Sequence, residues 1–196
     1  LPINGGEICV NGKPITGPGT DRALVFQSAS LLPWRTVWSN IIYGVKLKGE
    51  YRQDRIAKID SLIDLVGLRG FENRFPSELS GGMQQRANLA RALAVDPDIL
   101  LLDEPFASVD AQTREKLQVD LTEIWARTKK TMLFVTHDIA EAVFLSDRVI
   151  VFSARPARVS AIVDIEMARP RSLEIKHSAQ LQEYVKQIWH LIESPT

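Results

Sequence analysis

Residues 77–110 constrain this chain more than any other stretch. They read Ser-Glu-Leu-Ser-Gly-Gly-Met-Gln-Gln-Arg-Ala-Asn-Leu-Ala-Arg-Ala-Leu-Ala-Val-Asp-Pro-Asp-Ile-Leu-Leu-Leu-Asp-Glu-Pro-Phe-Ala-Ser-Val-Asp. Two chemical devices lie one helix apart. In the first, Ser80-Gly81-Gly82 opens a helix. A hydroxyl and bare amides at a helix N-terminus suit an anion, because the unpaired N–H groups and the helix dipole face the same way. In the second, the apolar run Ile99–Leu102 reads as a strand buried on both faces of a parallel sheet. Asp103-Glu104 then sets two carboxylates at its C-terminal end, where open α/β sheets place ligands, and Pro105 stops the strand. Taken singly, each device has a plain reading: Ser80 as an N-cap, Asp103-Glu104 as a polar turn.

The pair is far more specific than its parts. Leu79-Ser80-Gly81-Gly82-Met83-Gln84-Gln85-Arg86, a helix, then Leu100-Leu101-Leu102-Asp103-Glu104-Pro105 resembles the signature and Walker B motifs of ATP-binding-cassette (ABC) ATPases. The resemblance implies an α/β fold: the RecA-like core of a P-loop NTPase with a helical subdomain inserted in it. It implies ATP and Mg²⁺ as ligands. It also implies roles for residues. Ser80, Gly81, Gly82 and Gln84 would face nucleotide, Asp103 would position magnesium, and Glu104 would be the general base for the attacking water.

The rest of the chain follows the family's order. Glu7–Val10 and Lys13–Ile15 read as a hairpin about Asn11-Gly12. Arg22–Phe26 reads as a strand ending at Gln27. By resemblance Gln27 is the Q-loop glutamine, reaching magnesium and the attacking water. The apolar pair Leu31-Leu32 with Trp34 reads as exposed, either a packing corner or a contact for a membrane partner. Thr36–Val45 and Gln53–Val66 read as helices from apolar spacings of three and four, with Gly67 ending the second. The expected division is therefore a core of residues 1–35 and 95–196, with 36–94 as the helical subdomain.

Beyond Walker B, Ala107-Ser108-Val109-Asp110 resembles the D-loop. Asp110 is also a good N-cap for a helix over 111–127, and both roles can hold. Met132–Thr136 reads as a buried strand. His137 directly after it resembles the H-loop residue that holds the γ-phosphate. A helix over 138–145 and strands at 148–152 and 159–165 follow. Arg169-Pro170-Arg171 reads alone as a solvated turn. A last helix carries Leu181, Tyr184, Val185, Ile188, Leu191 and Ile192 on one face. Met83 at its place in the signature, the Leu31–Trp34 loop and the Arg-Pro pairs together resemble the branch that imports nitrate, sulfonates and taurine.

Charge narrows the partners. Lys plus Arg and Asp plus Glu are each 24, so the net charge is zero and there is no electrostatic footprint for nucleic acid. A single cysteine, Cys9, rules out an internal disulfide framework. No apolar run reaches about 18 residues, so no transmembrane helix is expected.

One expected part is missing. An ABC ATPase needs Gly-x-x-x-x-Gly-Lys-Ser/Thr to wrap the phosphates. The one Gly-Lys here, Gly12-Lys13, sits in the hairpin turn before Pro14. In the family the P-loop lies just before a stretch like Leu1-Pro2 to Glu7-Ile8, so the chain reads as N-terminally truncated. Its strand is expected between strands 99–103 and 132–136, and without it the chain is expected to bind ATP poorly. The resemblance implies a cytoplasmic ATPase subunit, peripheral on the inner membrane. Two copies would sandwich ATP head to tail, and the Gln27–Trp34 loop would touch permease subunits. Two other readings stay open: a soluble ABC ATPase unconnected with transport, and a fragment that binds partners without catalysis.

Overall fold

A computed structural model of the chain describes residues 5–193; Leu1 and Pro2, on which the truncation expectation partly rests, lie outside them. A hairpin comes first: β1 (Cys9–Val10) pairs antiparallel with β2 (Lys13–Pro14). Its turn residues Asn11 and Gly12 both adopt positive φ, at 50° and 73°, as an Asn-Gly hairpin turn demands. β3 (Arg22–Val25) enters the main sheet. Four helices then intervene before the next strand: α1 (Val37–Ile41), α2 (Tyr43–Leu47), α3 (Gln53–Leu65) and α4 (Gly81–Ala94). β4 (Ile99–Asp103), α5 (Ala111–Thr128), β5 (Thr131–Val135) and α6 (Ile139–Leu145) alternate. β6 (Arg148–Phe152), β7 (Val159–Asp164) and α7 (Ala179–Glu193) close the chain.

β3, β4 and β5 form a parallel sheet in that order, with Val25 opposite Leu102 and Leu102 opposite Phe134. Parallel pairing puts all three C-terminal ends at one edge, so Gln27, Asp103 and His137 leave the sheet together. β6 and β7 form a separate antiparallel pair.

The helix that carries the signature is built for close approach. Ser80 caps α4 by accepting from the Met83 amide at 3.3 Å. Ala87, Ala90, Ala92 and Ala94 are strong helix formers and all buried. With Leu89 and Leu93 they join Val25, Leu100 and Leu102 in one core cluster. Each fully buried leucine there contributes about 1.5–3 kcal/mol. A second cluster gathers Val143 and Phe144 of α6, Val151 and Val163 of the β6–β7 pair, and Leu181 and Ile188 of α7.

Five expectations are corrected. First, the single helix over 36–45 is two, interrupted at Ile42, which is the C-cap of α1 and the N-cap of α2. Second, β4 and β5 are not covered on both faces. Leu100 and Leu102 are buried, but Leu133 and Val135 are 55% and 50% exposed. The register places Leu24, Leu101 and Leu133 on one row, and alternation along each strand gives that row a single bare face. Third, no strand lies between 99–103 and 132–136, because β4 pairs with β5 residue by residue. Fourth, Leu31 is buried and Leu32 half-buried, whereas Trp34 stands out at 71% exposure. The buried Asn40 amide turns that loop inward by bonding the N–H of Leu32 and the carbonyls of Leu32, Arg35 and Thr36.

Fifth, Arg169-Pro170-Arg171 is not a solvated turn. Arg171 is 1% exposed and donates to the carbonyls of Val143, Phe144, Ser146 and Met167. It satisfies the free carbonyls at the C-terminus of α6, where a cation also complements the helix dipole. Burial pulls its pKa below the ordinary guanidinium value. Arg169 bonds Asp147 and lies over the Trp125 ring at 4.2 Å.

Candidate active site

β3 and β4 end side by side and open a cleft of about 440 Å³, lined by Phe26, Gln27, Ser28, Ser30, Asp103 and Ser108. Asp103 is exposed there at the last position of β4. Two oxygen-bearing residues, one with a carboxylate and one with an amide, thus line one space. That donor set fits magnesium, which prefers hard oxygen and takes one or two carboxylates beside phosphate and water. Among the described residues no group of three or more His, Cys, Asp and Glu could hold a metal by itself.

Glu104 follows in an unusual conformation. Its φ is +42°, a left-handed state that costs a non-glycine residue about 1–2 kcal/mol. Its N–H donates to the Val135 carbonyl at 2.9 Å. This bond holds the turn against the end of β5, from which His137 emerges. The result is a direct contact: His137 Nδ1 lies 3.1 Å from Glu104 Oε1, with the imidazole 74% and the carboxylate 32% exposed. A carboxylate and an imidazole in contact at the mouth of a sheet can handle a proton and hold an anion.

The signature residues lie elsewhere. Ser80, Gly81 and Gly82 do not line the Gln27–Asp103 cleft. Gly81 faces Val109, and Gly82 lies so close to α5 that an added Cβ would come 2.4 Å from Thr113 Cγ2. Asp110 caps α5 by accepting from the Thr113 amide at 3.0 Å, and that bond holds its carboxyl below the usual range. Ser80–Gly82 and Asp110 therefore form a second locus across the start of α5. Gln84 turns away from it, donating to the carbonyls of Pro76 at 3.0 Å and Leu79 at 3.3 Å. It stiffens the turn that presents Ser80.

Gln85 joins the two loci and was not among the residues singled out from sequence. It is 3% exposed, and its Nε2 donates to the carbonyls of Gln27 at 2.7 Å and Pro105 at 2.5 Å. Asn88 donates to its Oε1 at 3.3 Å; Arg91 donates to Asn88 Oδ1 at 2.8 Å and to the Ser30 carbonyl at 2.6 Å. One face of α4 thus grips the loop after β3 and the turn after β4. Polar residues on the buried side of an alanine-rich helix were the signal available, since such groups are kept only when hydrogen-bonded.

The fold and this edge define a P-loop-type nucleotide hydrolase architecture, with an acidic end to β4, a histidine just after β5 and a serine-glycine start to α4. The chain belongs to the ABC transporter family, whose model, described as "ABC transporter", matches residues 2–107. It is 50% identical over 188 residues to an uncharacterized ABC transporter ATP-binding protein of Methanocaldococcus jannaschii, covering 96% of this chain and 69% of that protein. It is 45% identical over 201 residues to a taurine import ATP-binding protein of Rhizobium johnstonii, covering 98% and 77%. A nitrate import ATP-binding protein of Synechocystis is 42% identical over 193 residues, with 95% and 73% covered. Among solved structures, cbiO1 of Clostridium perfringens, part of the ABC transporter complex cbiONQ, superposes with a TM-score of 0.69 at 24% identity. That match covers 82% of this chain and 65% of the cbiO1 chain, and it shows the shared fold.

Proposed function

We propose that this chain forms the greater part of the ATP-hydrolysing subunit of an importer for small anions of the nitrate, sulfonate or taurine type. The observation that carries the reading is the meeting of Gln27, Asp103, Glu104 and His137 at one sheet edge, with Glu104 and His137 in contact at 3.1 Å. Relatives that bear taurine and nitrate import names supply the solute class.

In this reading Glu104 accepts a proton from the attacking water. Held in its left-handed turn, it needs no reorganisation to do so. His137 donates a hydrogen bond to the γ-phosphate, and Gln27 orients the water from the facing strand. Asp103 with Gln27 would hold a magnesium ion, which when bound neutralises charge on the phosphates. Catalysis is then mainly positioning and charge stabilisation.

The second locus has a separate task. Ser80, Gly81 and Gly82, near the start of α5 that Asp110 caps, do not line this cleft and suit the γ-phosphate bound by another copy. Head-to-tail pairing of two copies satisfies both loci at once. The 36–94 segment acts as the helical subdomain that swings the Ser80 locus, and Trp34 offers the contact to a permease. No helix of the described residues is long and apolar enough to cross a membrane. In this reading the subunit sits on the cytoplasmic face and works through its permease partners, as the import names of its relatives suggest. No Gly-x-x-x-x-Gly-Lys-Ser/Thr loop occurs in the sequence, and the chain spans 69% and 77% of the length of two of its relatives.

The test is steady-state hydrolysis by the assembled transporter bearing Glu104→Gln. Retained ATP binding with hydrolysis nearly abolished supports the reading. Normal turnover removes Glu104 from the role. Hydrolysis without any association with permease subunits favours the soluble ATPase instead.

A further inference from the structure

Behind His137 runs a chain of hydrogen bonds that starts far away in sequence. Lys176 lies in a short 3-10 helix, Leu173–His177, just ahead of α7. Its ammonium donates to Gln118 Oε1 in α5. The other end of that amide, Gln118 Nε2, donates to Glu141 Oε1 at 2.8 Å. Glu141 Oε2 accepts from the Thr136 hydroxyl at 2.6 Å, and Thr136 Oγ1 accepts from the Asp138 amide at 3.0 Å. Asp138 caps α6 by accepting from the Glu141 amide at 3.0 Å.

The polarity of this chain is imposed from its Lys176 end. An ammonium is donor-only and an ionised carboxylate acceptor-only. Gln118, 2% exposed between them, must turn its oxygen to Lys176 and its NH₂ to Glu141. Glu141, 6% exposed, then has both oxygens engaged. The hydroxyl it fixes belongs to the residue before His137, and that hydroxyl holds the amide of the residue after it. The backbone on both sides of His137 is thereby tied. Lys176 is itself enclosed, with a side chain 17% exposed, the Glu115 carboxylate at 3.8 Å and the Phe144 ring at 5.1 Å.

We propose that Lys176 is a positioning residue for His137, and that the segment 173–177 braces the histidine loop through Gln118, Glu141 and Thr136. The catalytic consequence rests on the reading of His137 given above; the brace itself does not. The cation sets the amide, the amide sets the carboxylate, and the carboxylate sets the loop. The tail of the chain thus gains control over a group it never touches.

The experiment compares Lys176→Met, Lys176→Arg and His137→Ala in the assembled, ATP-hydrolysing transporter. Methionine keeps the stem over Phe144 and removes the charge. Lys176→Met should lower kcat about tenfold, since a 1 Å misplacement of a reacting group can cost about 10²-fold. KM for ATP should stay nearly constant, because the lost contact acts in the transition state. Lys176→Arg should restore most of the rate, and in the His137→Ala background Lys176→Met should cost nothing further. Hydrogen exchange at the amides of 136–138 should quicken in Lys176→Met and not in Lys176→Arg. Additive losses in the double variant, or unchanged kcat and exchange, overturn the proposal. If His137→Ala hydrolyses normally, the reading of His137 falls and exchange alone decides: faster exchange keeps the brace, unchanged exchange removes it. If Lys176→Met does not fold, Gln118→Glu replaces it, since it keeps the bond to Lys176 and sets a carboxylate against Glu141. The same loss and the same local exchange are expected, and their absence overturns the brace.

Discussion

The buried amide of Gln85 donates to the main-chain carbonyl of Gln27 at 2.7 Å, across 58 positions of sequence. Ser108 donates to the same carbonyl at 3.2 Å. The loop after β3 is therefore held by its backbone, which leaves the Gln27 side chain free to face the cleft. Gln85→Leu keeps the volume and strands the Pro105 carbonyl. It should destabilise the fold by about 1–3 kcal/mol, the cost of an unsatisfied buried polar group. Chemical denaturation measures this. The same variant should also lower permease-stimulated hydrolysis more than basal hydrolysis, because the grip links the loop to the signature helix.

Glu104→Gln tests the base. The substitution keeps the turn and the side-chain length. Loss of a general base costs about 10²–10⁴-fold in rate, so turnover should fall in that range. ATP affinity, measured by fluorescence titration of the assembled protein, should hold.

Gly82 is required by packing, and its requirement is pairwise. Gly82→Ala would drive a Cβ to 2.4 Å from Thr113 Cγ2. Overpacking of this kind costs about 1–3 kcal/mol. Thr113→Ser removes that methyl and keeps the hydroxyl. The double variant should recover most of the lost thermal stability, which a double-mutant melt series would show.

Trp34 is 71% exposed and sits on a loop whose shape is set by Asn40. Trp34→Ala should leave the melting temperature nearly unchanged and weaken co-purification with permease subunits. An earlier melt with normal assembly would assign it to packing.

The bare row of the sheet predicts the behaviour of the 196-residue chain by itself. Leu24, Phe26, Leu133 and Val135 are each 44–55% exposed, and among the described residues β5 pairs with β4 alone, which leaves its other edge open. Such surfaces drive association of copies. The chain should run above its monomer mass in light scattering. Leu133→Lys with Val135→Thr should reduce that, and ATP–Mg²⁺ titration calorimetry should show no tight binding. A monomer with micromolar affinity would refute both.

Local sequence determined much of this protein. Ser80 and Asp110 cap their helices because a short oxygen-bearing side chain beside free amides needs no tertiary partner. Asn11-Gly12 turns its hairpin, and Asp103-Glu104-Pro105 ends its strand, for equally local reasons. Tertiary structure decided what depends on neighbours far away in sequence. The unbroken apolar run in β5 says that two faces are apolar, but only the packing shows that one is bare. Arg-Pro-Arg looks like a solvated turn until the carbonyls at the end of α6 surround Arg171. Glu104 takes its left-handed turn because the Val135 carbonyl is placed to receive its amide. Gln85 and Lys176 look ordinary in the sequence, since a hydrogen bond's worth is set by burial and by the partner that burial leaves unsatisfied.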